Sequence, residues 1–192
     1  MHCTGILLAA GRGRRFDPSG AQNKLLQYLS GGEPVALRAA RQLKVVLAEI
    51  LIVLHPDADS LRILFETFGF NTTSCVDARD GMGHSLAHAI GQTANARGWI
   101  IALADMPQVK ASTIAALDAA IRDGADIAVP VHQHARGNPV GFSRKYRDAL
   151  LQLHGDRGAR HLLAAATVTE IAVDDAGILF DIDSPADLQK LT

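Results

Sequence analysis

The stretch Thr4–Lys24, TGILLAAGRGRRFDPSGAQNK, decides the fold. It opens with the apolar run Ile6-Leu7-Leu8-Ala9-Ala10, long enough for one buried strand, and breaks at Gly11 into a loop carrying Arg12, Gly13, Arg14 and Arg15. A buried strand therefore delivers a basic loop. Glycines let backbone N–H groups approach an anion, and the guanidinium groups with Lys24 supply charge where phosphate oxygens would sit, so the loop suits a polyphosphate. No G-x-x-x-x-G-K-[ST] pattern is present. A G-x-G-x-x-G count from Gly11 and Gly13 puts Phe16 at the third glycine, which removes the close helix–strand packing of a dinucleotide fingerprint.

Beyond Lys24 the chain alternates. Leu25–Tyr28 reads as a short extended piece ended by Gly31-Gly32, and Pro34 stands where a helix can begin, with Val35, Leu37, Ala40, Leu43 and Leu47 as its apolar stripe. Glu49–Leu54 is a second buried strand, His55-Pro56-Asp57 a turn, and Leu61, Leu64, Phe65 and Phe68 mark a helix. Phe70–Val76 is a weaker strand, Asp77–Gly83 a loop, Ser85–Ala96 a helix and Trp99–Ala104 an apolar strand ending at Asp105, with a further helix over Ile114–Ile121. Strands alternating with helices indicate an α/β fold with three α/β/α layers, Rossmann-like, on a mostly parallel mixed sheet. From residue 127 the rhythm changes: Ile127–Val131 and Pro139–Phe142 are strand-like with no helix between them, which predicts a hairpin or β-arm. Helices over 144–153 and 158–166, a strand over 168–173 and a helix from Pro185 complete the expectation.

At 192 residues and 48% hydrophobic the chain can bury one good core, and a single domain over 1–192 is expected. A net charge of −1 argues against nucleic-acid or membrane-surface partners, which favour a basic excess, so the arginine cluster is a ligand feature. Cys3 and Cys75 form no C-x-x-C and are too few for a disulfide framework, which suits a reducing cytoplasm. No apolar run reaches the roughly 20 residues of a membrane span, and the N-terminus lacks a basic signal-peptide head.

Ligands of open parallel sheets bind at the carboxyl ends of strands, where Asp105 falls. A second carboxylate, Asp183, stands just before a helix start signalled by Ser184 as N-cap, Pro185 at the first position and Asp187 at the third. Two such oxygens suit Mg²⁺, which takes one or two carboxylates together with substrate phosphates. Gly81-Met82-Gly83-His84-Ser85 runs a glycine loop into a helix N-terminus, which favours an anion or a polar ligand edge. His84 and His88 are spaced i, i+4 but no glutamate stands between them in an H-E-x-x-H pattern, and no serine sits in G-x-S-x-G.

Taken together, Leu8-Ala9-Ala10-Gly11, Gly13, Arg15, Asn23-Lys24, Ala104-Asp105-Met106-Pro107 and Asp181-Ile182-Asp183-Ser184-Pro185 resemble the nucleotidyltransferases, in particular the molybdenum-cofactor cytidylyl- and guanylyltransferases. Arg136–Phe142 and Gly155–Arg160 are similar to family stretches on the acceptor side. The resemblance implies a nucleotidyltransferase fold with a nucleotide-binding half to about residue 125 and an acceptor-binding half beyond it. It implies Mg²⁺-dependent transfer of a nucleoside monophosphate from an NTP to a terminal phosphate, with pyrophosphate leaving. Arg15, Lys24, Asp105 and Asp183 would be catalytic, the two aspartates holding the metal. Leu8, Ala9, Ala10, Gly11, Gly13, Arg15 and Lys24, with Gly81, Gly83 and Ser85, would hold the nucleotide; Asn138, Pro139, Gly141 and Arg160 would meet the acceptor. Ala10, in place of the glycine of the guanylyl branch, implies CTP. The implied acceptor is the molybdopterin cofactor, with transient contact to a molybdoenzyme or its chaperone. The alternatives are another phosphorylated acceptor, a sugar phosphate or methylerythritol phosphate, and a catalytically idle nucleotide-binding regulator. One departure from the family is the segment Phe16–Gln22, a few residues longer than usual and carrying the acidic Asp17.

Overall fold

The computed structural model describes residues 2–11, 13–155, 158–165 and 167–191, with the backbone alone at 160, 161 and 165. The apolar run becomes β1 (Thr4–Ala9), buried at every position. Parallel partners flank it on both sides: β2 (Ile50–Leu54), with Leu7 opposite Ile52, and β4 (Gly98–Leu103), with Leu7 opposite Ala102. β3 (Asn71–Ser74) adds in parallel outside β2. Uniformly apolar strands are expected of a parallel sheet covered on both faces. Accordingly Leu7, Ile52, Ile100 and Ala102 join one core cluster and Ile6, Leu8, Val53, Trp99 and Ile101 the other.

The first cluster is roofed by α1 (Val35–Val46), α2 (Asp59–Thr67) and α4 (Ala111–Arg122) through Leu37, Leu43, Leu61, Phe65, Ile114 and Leu117. α3 (Met82–Gln92) and α5 (Arg147–Leu151) cover the second through Leu86, Ala89, Ile90 and Leu150. Each fully buried Leu or Phe contributes about 1.5–3 kcal/mol, so these stripes hold the helices on the sheet. The result is the expected α/β/α sandwich.

The later half completes the same sheet in the order β3-β2-β1-β4-β7-β5-β6, with β8 on the other edge of β5. β5 (Ile127–His132) and β6 (Ala135–Arg136) form a hairpin turned at Gln133 (φ 48) and His134 (φ 68), both left-handed. β7 (Val140–Ser143) does not extend that arm but inserts antiparallel between β4 and β5, Gly141 facing Ile100 on one side and Ala128 on the other. A connection too short for a crossover helix permits only this antiparallel return. β8 (Val168–Ala172) pairs parallel with β5, α6 (Arg160–Ala165) precedes it, and α7 (Pro185–Gln189) closes the chain.

Three local expectations are corrected. Lys24–Leu26 is a 3-10 turn rather than an extended piece, because the Asn23 side chain accepts the Leu25 N–H at 3.0 Å. α3 begins at Met82, ahead of Ser85, since Gly81 at φ 126 supplies the corner that starts it. The helix expected over 144–153 is a 3-10 turn, Arg144–Tyr146, followed by α5. No described helix is long and apolar enough to cross a membrane.

Candidate active site

The carboxyl ends of β1 and β4 open on a cleft of about 660 Å³. The loop after β1 forms its floor through Ala10, Gly11, Gly13, Arg14 and Arg15. Sheet order divides its walls. Asp105, following β4, stands on one side of β1, while Ala78–Ser85, following β3, stands on the other.

On the acidic side the Asn23-capped turn directs Lys24 inward until only 8% of it is exposed. Its ammonium uses all three donors: Asp105 Oδ2 at 2.6 Å, the Ile182 carbonyl at 2.7 Å and Asp183 Oδ1 at 3.3 Å. Arg15 donates to the other oxygen of Asp183. Neighbours on both sides hold Asp183 in place: Ser184 and Asp187 form a reciprocal capping box on α7, and the Ile182 N–H donates to the Asp105 carbonyl at 2.9 Å. Asp105, Asp181 and Asp183 each bring an oxygen within 4.8 Å of the others. Burial pushes the Asp181 carboxyl above its ordinary pKa, and the negative charges of Asp183 and Asp105 add to the shift. Three hard oxygens around an ammonium fit a divalent cation of the Mg²⁺ or Mn²⁺ type.

The loop of unusual length closes on itself. Asp17 accepts the Ser19 N–H at 2.9 Å, the Ser19 hydroxyl at 2.6 Å and the Gln22 N–H at 2.7 Å, while Phe16 is buried beneath. The Ser19 hydroxyl and the Gln22 N–H hold the Asp17 carboxyl below the usual carboxylate range. Its charge is thus satisfied within the loop.

Of the site residues expected from the sequence, Leu8, Ala9, Ala10, Gly11, Gly13, Arg15, Lys24, Gly81, Ser85, Asp105 and Asp183 come together in the lining of this cleft. Gly83 stands outside that lining: a Cβ there would lie 2.8 Å from His154 backbone atoms, and its N–H donates to the Gly155 carbonyl at 2.8 Å. Asn138 and cis-Pro139 line a separate cavity of about 10 Å³ with Ala102 and Met106, and Gly141 lies inside β7, where a Cβ would meet Ile121 at 2.9 Å. The side chain of Arg160, like all of Arg12, Asp156 and Arg157, lies outside the described residues. His84 and His88 bond separately, to the Gly155 N–H at 3.4 Å and to the Thr73 hydroxyl at 2.8 Å.

Sequence reasoning missed Asp181, which it held only as part of a motif, and Arg79. The i, i+2 spacing of Asp181 and Asp183 could have signalled the first. Arg79 carries no such signal, because its partners Asp57 and His55 lie more than twenty residues away in another loop.

A parallel sheet that sets a basic glycine loop beside a carboxylate cluster is a fold of the nucleotidyltransferase type. The chain belongs to the MobA-like NTP transferase family, whose domain matches residues 5–171. It is 30% identical over 146 residues to the bifunctional protein GlmU of Allorhizobium ampelinum, an alignment covering 74% of this chain and 31% of GlmU, so the chain spans about a third of that relative. Among solved structures, Rv0371c of Mycobacterium tuberculosis H37Rv is similar over 100% of this chain and 97% of its own, at 27% identity and a TM-score of 0.85. The manganese complex of Rv0371c is similar at 27% identity and a TM-score of 0.81, covering 100% of this chain and 98% of its own.

Proposed function

We propose that this protein transfers CMP from CTP onto a terminal phosphate of the molybdopterin cofactor, releasing pyrophosphate. The observation that carries the nucleotide is Ala10, 8% exposed at the end of β1 on the cleft floor. Its Cβ takes space that a purine would need against the backbone and leaves room for a pyrimidine.

An oxygen of the acceptor phosphate attacks the α-phosphorus of the nucleotide. The bond from that phosphorus to the bridging oxygen breaks, and the electron pair leaves with pyrophosphate. A phosphate monoester is largely ionised at pH 7, its second pKa being about 6, so no general base is needed. Catalysis reduces to alignment and charge neutralisation. Arg14 and Arg15 stand on the loop beneath the triphosphate, and Lys24 neutralises the carboxylates and the departing charge. Asp105 and Asp183 would hold a Mg²⁺, which supplies Lewis-acid stabilisation of the phosphates when bound. The manganese bound by the similar Rv0371c supports a divalent ion at such a site. Of the residues that the resemblance assigns to the acceptor, Asn138 and Pro139 line the separate small cavity and Gly141 lies inside β7, so these three do not line the cleft.

Pyrophosphate release is the test, with each of four NTPs against the pterin phosphate, a sugar phosphate and methylerythritol phosphate. Release with CTP and the pterin is expected. Preference for another nucleotide overturns the cytidylyl assignment, preference for another acceptor overturns the pterin, and nucleotide binding without any release identifies an idle regulator.

A further inference from the structure

We propose that Arg79 is the side chain that reads the nucleobase, selecting a base that offers two adjacent hydrogen-bond acceptors. The inference rests on the nucleotide reading above and adds a residue to which no role has been given. Arg79 lines the cleft with Ala10 and Met82, on the side of β1 away from Asp105, Lys24 and Asp183. Triphosphate oxygens belong with Lys24, Arg14, Arg15 and the cation that the two carboxylates would hold, so the wall beside Arg79 is left to the base.

Its guanidinium is anchored from behind. Nε donates to His55 Nε2 at 3.1 Å and one terminal nitrogen donates to Asp57 Oδ2 at 2.8 Å, both partners coming from the turn after β2. The other terminal nitrogen has no protein partner among the described residues. A neutral imidazole has one accepting nitrogen. The Asp57 N–H also points at His55, reaching Nδ1 at 3.1 Å, so two donors compete for one lone pair. Of the two, the Arg79 bond is charge-assisted, and Asp57 Oδ2 holds the same guanidinium independently of the ring. With the His55 side chain 11% exposed, this back wall fixes the plane of the guanidinium.

A fixed guanidinium only donates, and donates in parallel pairs. Cytosine offers O2 beside N3. Guanine offers O6 beside N7, which makes arginine its usual partner. Adenine sets an amino donor beside N7, and uracil places N3–H between its two carbonyls, so neither supplies an adjacent acceptor pair. Arg79 therefore divides C and G from A and U, and the Ala10 Cβ excludes the purine. Two side chains acting on different properties of the base single out cytosine.

The test is calorimetric titration in Mg²⁺, without acceptor, of CTP, GTP, UTP, ATP and inorganic tripolyphosphate into wild type, Arg79→Ala, Arg79→Lys and His55→Leu. Arg79 is 56% exposed, so its replacement leaves the core intact. Arg79→Ala is expected to raise the CTP Kd at least tenfold and the GTP Kd with it, while UTP, ATP and tripolyphosphate change less than twofold. Arg79→Lys should fail to restore CTP, since an ammonium lacks the planar pair. His55→Leu should weaken CTP in the wild-type background and have no further effect beside Arg79→Ala. Equal weakening of tripolyphosphate and CTP would make Arg79 a phosphate contact, and an unchanged CTP Kd would make it a surface residue; either overturns the proposal while the transferase reading stands. A wild-type protein that binds no nucleoside triphosphate would overturn both.

Discussion

Lys24 concentrates the electrostatics of the molecule in one side chain, because it pairs with both Asp105 and Asp183, with Asp181 beside them, and no other buried cation reaches them among the described residues. Lys24→Ala should lower kcat/KM by about a hundredfold or more, the magnitude typical of a lost preorganised donor at a reacting phosphoryl group. It should also lower stability by about 1–3 kcal/mol in chelator, since carboxylates left facing one another lose their partner. Mn²⁺ should narrow that gap, because without the ammonium the carboxylates bind the cation more tightly than in wild type, and each tenfold difference in Kd is worth about 1.4 kcal/mol. Thermal midpoints of both proteins with and without Mn²⁺ decide it: an equal rise in both would place the ion away from these carboxylates. In the function proposed above, Ala10 acts by volume rather than charge. A methyl-sized change in a pocket is worth about 10- to 200-fold in discrimination, so Ala10→Gly should narrow the kcat/KM preference for CTP over GTP without inverting it. A variant with unchanged selectivity would move the base away from β1.

Among the elements, α3 shows how closely its first turn is seated. Gly83→Ala would improve helix propensity by about 1 kcal/mol, yet the new Cβ would stand 2.8 Å from the His154 backbone, which cannot swing aside like a side chain. Overpacking typically costs about 1–3 kcal/mol, so the clash wins and urea should unfold the variant earlier; a later midpoint would show that the 154–155 segment gives way. At α7 the Ser184 hydroxyl, with Lys190, holds the Asp187 carboxyl well below the usual range. A depressed folded-state pKa adds stability that is present above the unfolded value, about 3.9, and lost as pH falls towards the folded one. The stability gap between wild type and Asp187→Ala should thus be full at pH 7 and shrink below about pH 4; a gap constant to pH 2 would mean that packing, not the cap, is what Ala removes. That α7 and its cap were legible from Ser184, Pro185 and Asp187 reflects the local nature of capping. β1, β2 and β4 were legible because a strand buried on both faces is apolar throughout. The insertion of β7 was not, because its partner Ile100 lies some forty residues upstream, and nothing in Val140–Ser143 says which strand it joins. Arg79 escaped for the same reason.

Across the whole molecule, one sheet crosses the boundary near residue 125, since β7 pairs with β4 as well as with β5. The two expected halves therefore share hydrogen bonds and both core clusters. Urea unfolding should be a single transition, with fluorescence of the one tryptophan, Trp99, fully buried in β4, coinciding with the loss of helix signal. Separate midpoints would divide the chain in two. The same continuity hides an asymmetry in time. β3, β2, β1 and β4 are all made within the first 103 residues, and with them the floor of the cleft, while Asp181 and Asp183 arrive near the end of the chain. In order of synthesis the basic loop and the Ala78–Ser85 wall thus precede the second carboxylate by about a hundred residues. Until then the Lys24 ammonium lacks two of its three acceptors, the Ile182 carbonyl and Asp183.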